Sequence, residues 1–101
     1  MNDAMRAAQL RLAELLEADE LTAGMYVRQH GKHLIAGRVE RIGPNQSPEN
    51  SDRVRFTRFH GNLYSLSVRL HTGRWQRTPC NGRLDESVSS VWAVMQHIVA
   101  A

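Results

Sequence analysis

Apolar positions recur along the chain with two different periods. In residues 3–21, Met5, Ala8, Leu12, Leu15 and Leu16 return at three- and four-residue intervals, which predicts an amphipathic helix capped by Asn2 or Asp3. Glu14, Glu17 and Glu20 lie off that stripe and make its exposed side acidic, and Gly24 of "TAG" suits the left-handed residue that ends a helix. The same period returns in 85–100, where Asp85 is the cap and Val88, Val91, Trp92, Met95, Ile98 and Val99 form the stripe. Between the helices the period is two, the mark of half-buried strands, predicted near 25–29, 33–42, 53–59, 63–71 and 74–78. "GPNQSPENSD", residues 43–52, holds a glycine, two prolines and otherwise polar side chains, and predicts a mobile loop.

This order predicts one α+β domain over 1–101, α-β-β-β-β-β-α, an antiparallel five-stranded meander with both helices packed on its apolar face. Its parts are an N-terminal helical region (1–24), a β-meander (25–84) and a C-terminal helix (85–101). "GMYVRQHGKHLIAGRVERI" is similar in cadence to the opening of small SH3-like barrels, with a short strand, a tight tip and a glycine that lets the second strand bend. That cadence makes a strongly bent, barrel-like sheet the alternative.

Pairing register follows from the apolar sets, because a slip of one residue turns every side chain to the other face. Val54 and Phe56 share a face with Tyr64, Leu66, Val68 and Leu70 only if Val54 opposes Val68 and Phe56 opposes Leu66. A three-residue loop, His60–Asn62, joins the two strands on that register, and Phe59 then faces Leu63. If Thr72-Gly73 makes the next turn, Trp75 joins Leu70 in the core. The outer face then carries Arg53, Arg55, Arg69, His71, Arg74 and Gln76, with Thr57 and Ser65 as a hydroxyl strip. Arg53 opposite Arg69 is a like-charge conflict, mild on a wet sheet.

Charge sharpens this picture. The net charge is +3, but residues 25–84 hold eleven basic residues against three acids, a local excess of +8. The first 24 residues carry two against five, and the tail adds two acids. Such segregation points to a basic patch on the sheet and to a partner rich in negative charge. Nucleic acid, held through its phosphate backbone, is the first expectation, and an acidic protein the second. The outer face of the C-terminal helix (Ser89, Ala93, Gln96, His97) has no formal charge and offers a homodimer surface.

Candidate chemistry is sparse. His30 and His33 have H-x-x-H spacing, but Gly31 makes that segment a hairpin tip and no further ligands join it, so no metal is expected. The tips "RQHGK" and "RFHGN" share a pattern that ordinary hairpin chemistry explains. Cys80 in "TPCNG" reads as a small free residue in a turn, without a base to make it a nucleophile. No phosphate loop, nucleophile elbow or carboxylate pair appears, so neither an enzyme nor a cofactor is expected. A single cysteine excludes an internal disulfide and fits a reducing compartment. Acids inside the N-terminal apolar stretch argue against a secretory signal or membrane span, so the cytoplasm is the expected address and no membrane partner is expected.

Overall fold

Helix α1 (Asp3–Glu17) is followed by β1 (Tyr26–His30), β2 (His33–Glu40), β3 (Glu49–His60), β4 (Leu63–Arg69), β5 (Trp75–Arg83) and α2 (Leu84–Met95). The structure, a computed structural model, describes residues 3–40, 43–45 and 47–95. All five strands join one antiparallel sheet in sequence order, and both helices pack on its inner face. β1 and β5 are the two edges, so the sheet does not close on itself by pairing its first and last strands.

The inner face is the alternating set that the period of two requires. Leu34, Val54, Phe56 and Leu66 from the three central strands meet Leu12 and Leu16 of α1 and Val88 and Val91 of α2. Phe56 and Leu66 are opposite each other, as are Val54 and Val68, the register that the apolar sets demand.

Element ends move for local reasons. α1 stops at Glu17 rather than near residue 21. The Asp19 carboxylate accepts from the Leu21 amide at 2.8 Å, an Asx turn that competes with continued helix. Thr22, fully buried, then donates to the Leu16 carbonyl at 2.5 Å and accepts from the Trp92 indole nitrogen at 3.2 Å, tying the end of α1 to α2. From β2, Arg38 donates to the carbonyls of Leu21 (2.5 Å) and Ala23 (3.2 Å) and satisfies the rest of that turn.

Three departures from the expected sheet matter for its surface. β3 begins at Glu49, so the second half of the expected 43–52 loop, including Asp52, is strand. His60 rather than Phe59 opposes Leu63: a two-residue turn, Gly61-Asn62, closes the hairpin, and a bulge at Phe59 restores the register. β5 runs through "TPCNG" to Arg83, so Cys80 lies in a strand, not a turn. Proline is tolerated there because β5 is an edge strand and bulged opposite Leu66. The Thr78 hydroxyl donates to the Leu66 carbonyl at 2.9 Å, standing in for a ladder bond.

The largest correction concerns Trp75. His71, Thr72 and Gly73 form a three-residue loop: the Gly73 amide donates to the Leu70 carbonyl at 2.9 Å and the Leu70 amide to Arg74 at 2.8 Å. Gly73 has φ 87°, the left-handed residue that closes such a loop with a bulge. Compared with a two-residue turn, this slips β5 by one place. Trp75 therefore opposes Arg69 on the outer face instead of joining Leu70 in the core, and Gln76 moves to the inner side opposite Val68.

Trp92 is the tryptophan that packs against the core. Trp92→Ala is expected to cost about 3 kcal/mol, and Thr22→Val about 1–3 kcal/mol because it strands the indole N–H and the Leu16 carbonyl. Urea unfolding of the two variants checks both values; midpoints unchanged from wild type would show that α2 is not anchored through this contact.

Candidate nucleic-acid interface

The outer face is organised in rows that cross the sheet. One row spans all five strands: Arg28, Ile35, Arg55, Ser67 and Arg77. Its three arginines stand two strands apart, roughly 10 Å by the ordinary strand spacing, with an apolar or small residue between them. Like charges are thereby kept from facing each other. Ile35 and Ser67 are buried although no described helix covers this side; each stands between two arginines of the row. A neighbouring row is neutral and hydroxylated: His30, His33, Thr57, Ser65 and Asn81. There His33 Nδ1 lies 2.8 Å from the Thr57 hydroxyl, and burial, followed by Arg55, holds the imidazole pKa below its usual value.

The third group centres on Asp52. A register shift after Ala36 sets Gly37 opposite Asp52 and leaves Arg53 as the extra residue of a bulge. Arg53 does not face Arg69 in the ladder; it forms an ion pair with Glu40. The Asp52 carboxylate accepts from the Tyr26 hydroxyl at 2.5 Å and from Arg28 Nη2 at 2.7 Å, and lies 3.7 Å from Arg69. The hydrogen bond from Arg28 holds the Asp52 carboxyl below the usual carboxylate range. Burial, reinforced by Asp52, pushes the Tyr26 phenol well above its ordinary value. On the far side of Arg69 the Trp75 indole carries two guanidiniums, Arg55 at 4.9 Å and Arg69 at 5.9 Å from the ring centroid, both within cation–π reach.

Of the residues expected on this face, Arg55 and Arg69 stand at its centre and Arg53 at its bulge. His71 lies in the β4–β5 loop and Arg74 just after it, opposite Leu70, both exposed, and Gln76 is on the other side of the sheet. Tyr26, Arg28, Asp52, Arg77 and Trp75 join the face without having been assigned to it. Trp75 was detectable by counting a three-residue loop at His71–Gly73. Arg28 and Asp52 required the pairing of β1 with β2 and β2 with β3, which no local pattern states. On α2, Ser89 and Ala93 are exposed, while Gln96 and His97 lie outside the described residues. Among the described residues no group of three or more His, Cys, Asp or Glu is placed to hold a metal. No described helix is long and apolar enough to cross a membrane.

Gly37 makes this arrangement possible. A Cβ there would stand 2.1 Å from the Ser51 carbonyl oxygen and 2.6 Å from the Tyr26 hydroxyl, so only glycine lets Tyr26 pass over β2 to reach Asp52. Gly37→Ala is expected to destabilise the fold by more than about 2 kcal/mol, whereas Gly31→Ala meets no atom but strains a positive φ. Chemical denaturation of the pair ranks them, and equal midpoints would contradict the close approach.

Stability should follow pH through the same cluster. Asp52 has a lowered folded pKa, so its contribution is complete above the ordinary 3.8 and is lost as pH falls through the folded value. Tyr26 has a raised one, so its contribution is complete below the ordinary 10.0 and declines as pH rises beyond it. Asp52→Asn should flatten the acid limb of a melting-temperature profile and Tyr26→Phe the alkaline limb. Profiles parallel to wild type would dissociate these groups from folding.

Compared with known proteins, the chain matches no family model, no curated protein and no solved structure.

Proposed function

We propose that the chain is a small, non-enzymatic nucleic-acid-binding protein whose outer sheet face contacts the phosphate backbone. The observation that carries this reading is the five-strand row, in which Arg55 and Arg77 have no carboxylate partner among the described residues. Arg28 and Arg69 are oriented by Asp52 and add two further guanidiniums, whose planar forks match phosphate oxygens. One indole, already stacked by two guanidiniums, is too little to splay and read several bases. Backbone contact without base readout is the mode this favours.

A second reading is docking of an acidic protein on the same face. It is favoured by the grouping of tryptophan, tyrosine and arginine, the types that dominate protein interfaces, and by Asp52 lowering the charge of the face from within. Self-association through the uncharged face of α2 belongs to this reading as well, and sedimentation reads it directly.

Salt dependence separates the two. Phosphate contacts release condensed counterions, with a log–log slope of about −0.9 per contact on duplex DNA. Arg28, Arg55, Arg69 and Arg77 predict a slope of about −3 to −4, and Arg55→Ser/Arg77→Ser should flatten it by about two. Fluorescence anisotropy with duplex DNA, single-stranded DNA and RNA makes the measurement. Absence of binding to all three at low salt removes the nucleic-acid reading, and saturable capture of one acidic protein would replace it.

A further inference from the structure

Beneath the β3–β4 tip, on the side of the sheet away from Trp75, the contact between helix and strands is left unfilled. Ala4, Ala7 and Ala8 lie three and four residues apart and so share one side of α1. Where Met5, Leu12 and Leu16 fill the core, these positions present only methyl groups. A cavity of about 370 Å³ opens between them and Arg58, Gly61, Tyr64 and the β5–α2 junction. That is within the size range of small-molecule sites.

Its lining is unusual in charge. Arg11 from α1, Arg58 from β3 and Arg83 from the end of β5 face it, against the single carboxylate of Asp85. Arg11 and Arg83 hold Glu14 and Glu86 at 3.4 and 3.5 Å, exposed pairs of the kind that contribute little and exchange readily. Arg58 donates its Nε to the Gly61 carbonyl, which positions the side chain and leaves its terminal nitrogens available. Tyr64 is only 4% exposed, and its hydroxyl, which makes no hydrogen bond to another described residue, is the end of the side chain that solvent reaches. Burial raises the phenol pKa against the opposing pull of Arg58, so the group is a neutral donor at ordinary pH.

We infer that this cavity binds a small organic phosphomonoester. The phosphate is taken by Arg11, Arg58, Arg83 and the Tyr64 hydroxyl, and the flat organic part lies on the alanine floor. A phosphomonoester carries about −1.5 to −2 charges near neutral pH, which balances three guanidiniums and Asp85 once Arg11 and Arg83 exchange Glu14 and Glu86 for it; a monocarboxylate lacks the charge to displace both. At the β5–α2 junction the Glu86 carboxylate accepts from the Arg83 amide and the Asp85 carboxylate from the Glu86 amide. Two sources present this chemistry, a free nucleotide and the 5′-phosphate end of a strand. The site faces away from the arginine row, so it stands or falls separately from the reading above.

Adenosine 5′-monophosphate, adenosine and inorganic phosphate, titrated into the full chain and followed by backbone NMR shifts, test the inference. Adenosine 5′-monophosphate should bind with shifts around Ala7, Gly61 and Arg83, phosphate more weakly, and adenosine not at all. Arg58→Gln should weaken binding by about tenfold or more, as loss of a charge-assisted contact does. Ala7→Leu, a substitution at an exposed helical position, should abolish it by filling the floor while leaving the fold intact. Arg55→Ser should leave it unchanged. Tighter binding of a 5′-phosphorylated than of an unphosphorylated oligonucleotide, by more than adenosine 5′-monophosphate itself achieves, would assign the strand end, and equal affinity the free nucleotide. No binding at millimolar concentration, or binding that Ala7→Leu and Arg58→Gln both leave intact, overturns the proposal.

Discussion

On the outer face Asp52 accepts hydrogen bonds from Tyr26 and Arg28 and lies beside Arg69, three side chains from two strands that do not pair with each other. Two like-charged guanidiniums could not converge there alone; the carboxylate between them converts repulsion into attraction. Its position depends on the bulge in which Arg53 is the extra residue and on a glycine at position 37 that clears the path for Tyr26. From that fixed point the rest of the surface follows. Arg69 is held where Trp75 can stack on it, and Arg55 takes the other contact with the indole.

The two faces of the sheet are thereby built from different physics. On the inner face, apolar area leaves water against two helices, and the last loose end, the turn after α1, is closed by Thr22 between the Leu16 carbonyl and the Trp92 indole. On the outer face no described helix excludes water. Ile35 and Ser67 are buried there between neighbouring arginines, and the guanidiniums of Arg55 and Arg69 stack on the Trp75 indole. A surface of that kind keeps its charge available to a partner and keeps its side chains ordered, which lowers the entropy lost on binding.

The cavity under the β3–β4 tip shows what α1 contributes beyond core packing. Its Met and Leu positions supply burial, whereas Ala4, Ala7 and Ala8 leave space. A helix of the same length with leucine at those positions would still meet the sheet, and the Tyr64 hydroxyl would lose its opening.

Element order, the helix stripes as far as Trp92 (Ile98 and Val99 lie outside the described residues) and the pairing of Val54 with Val68 and Phe56 with Leu66 were determined by the sequence alone, because burial on one face admits a single register for an alternating strand. The placing of Arg55 and Arg69 on the opposite face came with that register. Trp75 was not determined in the same way: two- and three-residue turns at Thr72-Gly73 are both chemically reasonable, and they send the indole to opposite sides. Packing chose the loop that leaves Gly73 with positive φ. Asp52 was hidden in a stretch whose prolines and amides read as loop, and its strand character comes from pairing with β2. Pro79 concealed the second half of β5 for a similar reason, since an edge strand tolerates a residue without an N–H where a central one does not. Tertiary structure alone decided these points, because each depends on which strand lies alongside, a distance in space that no local period encodes.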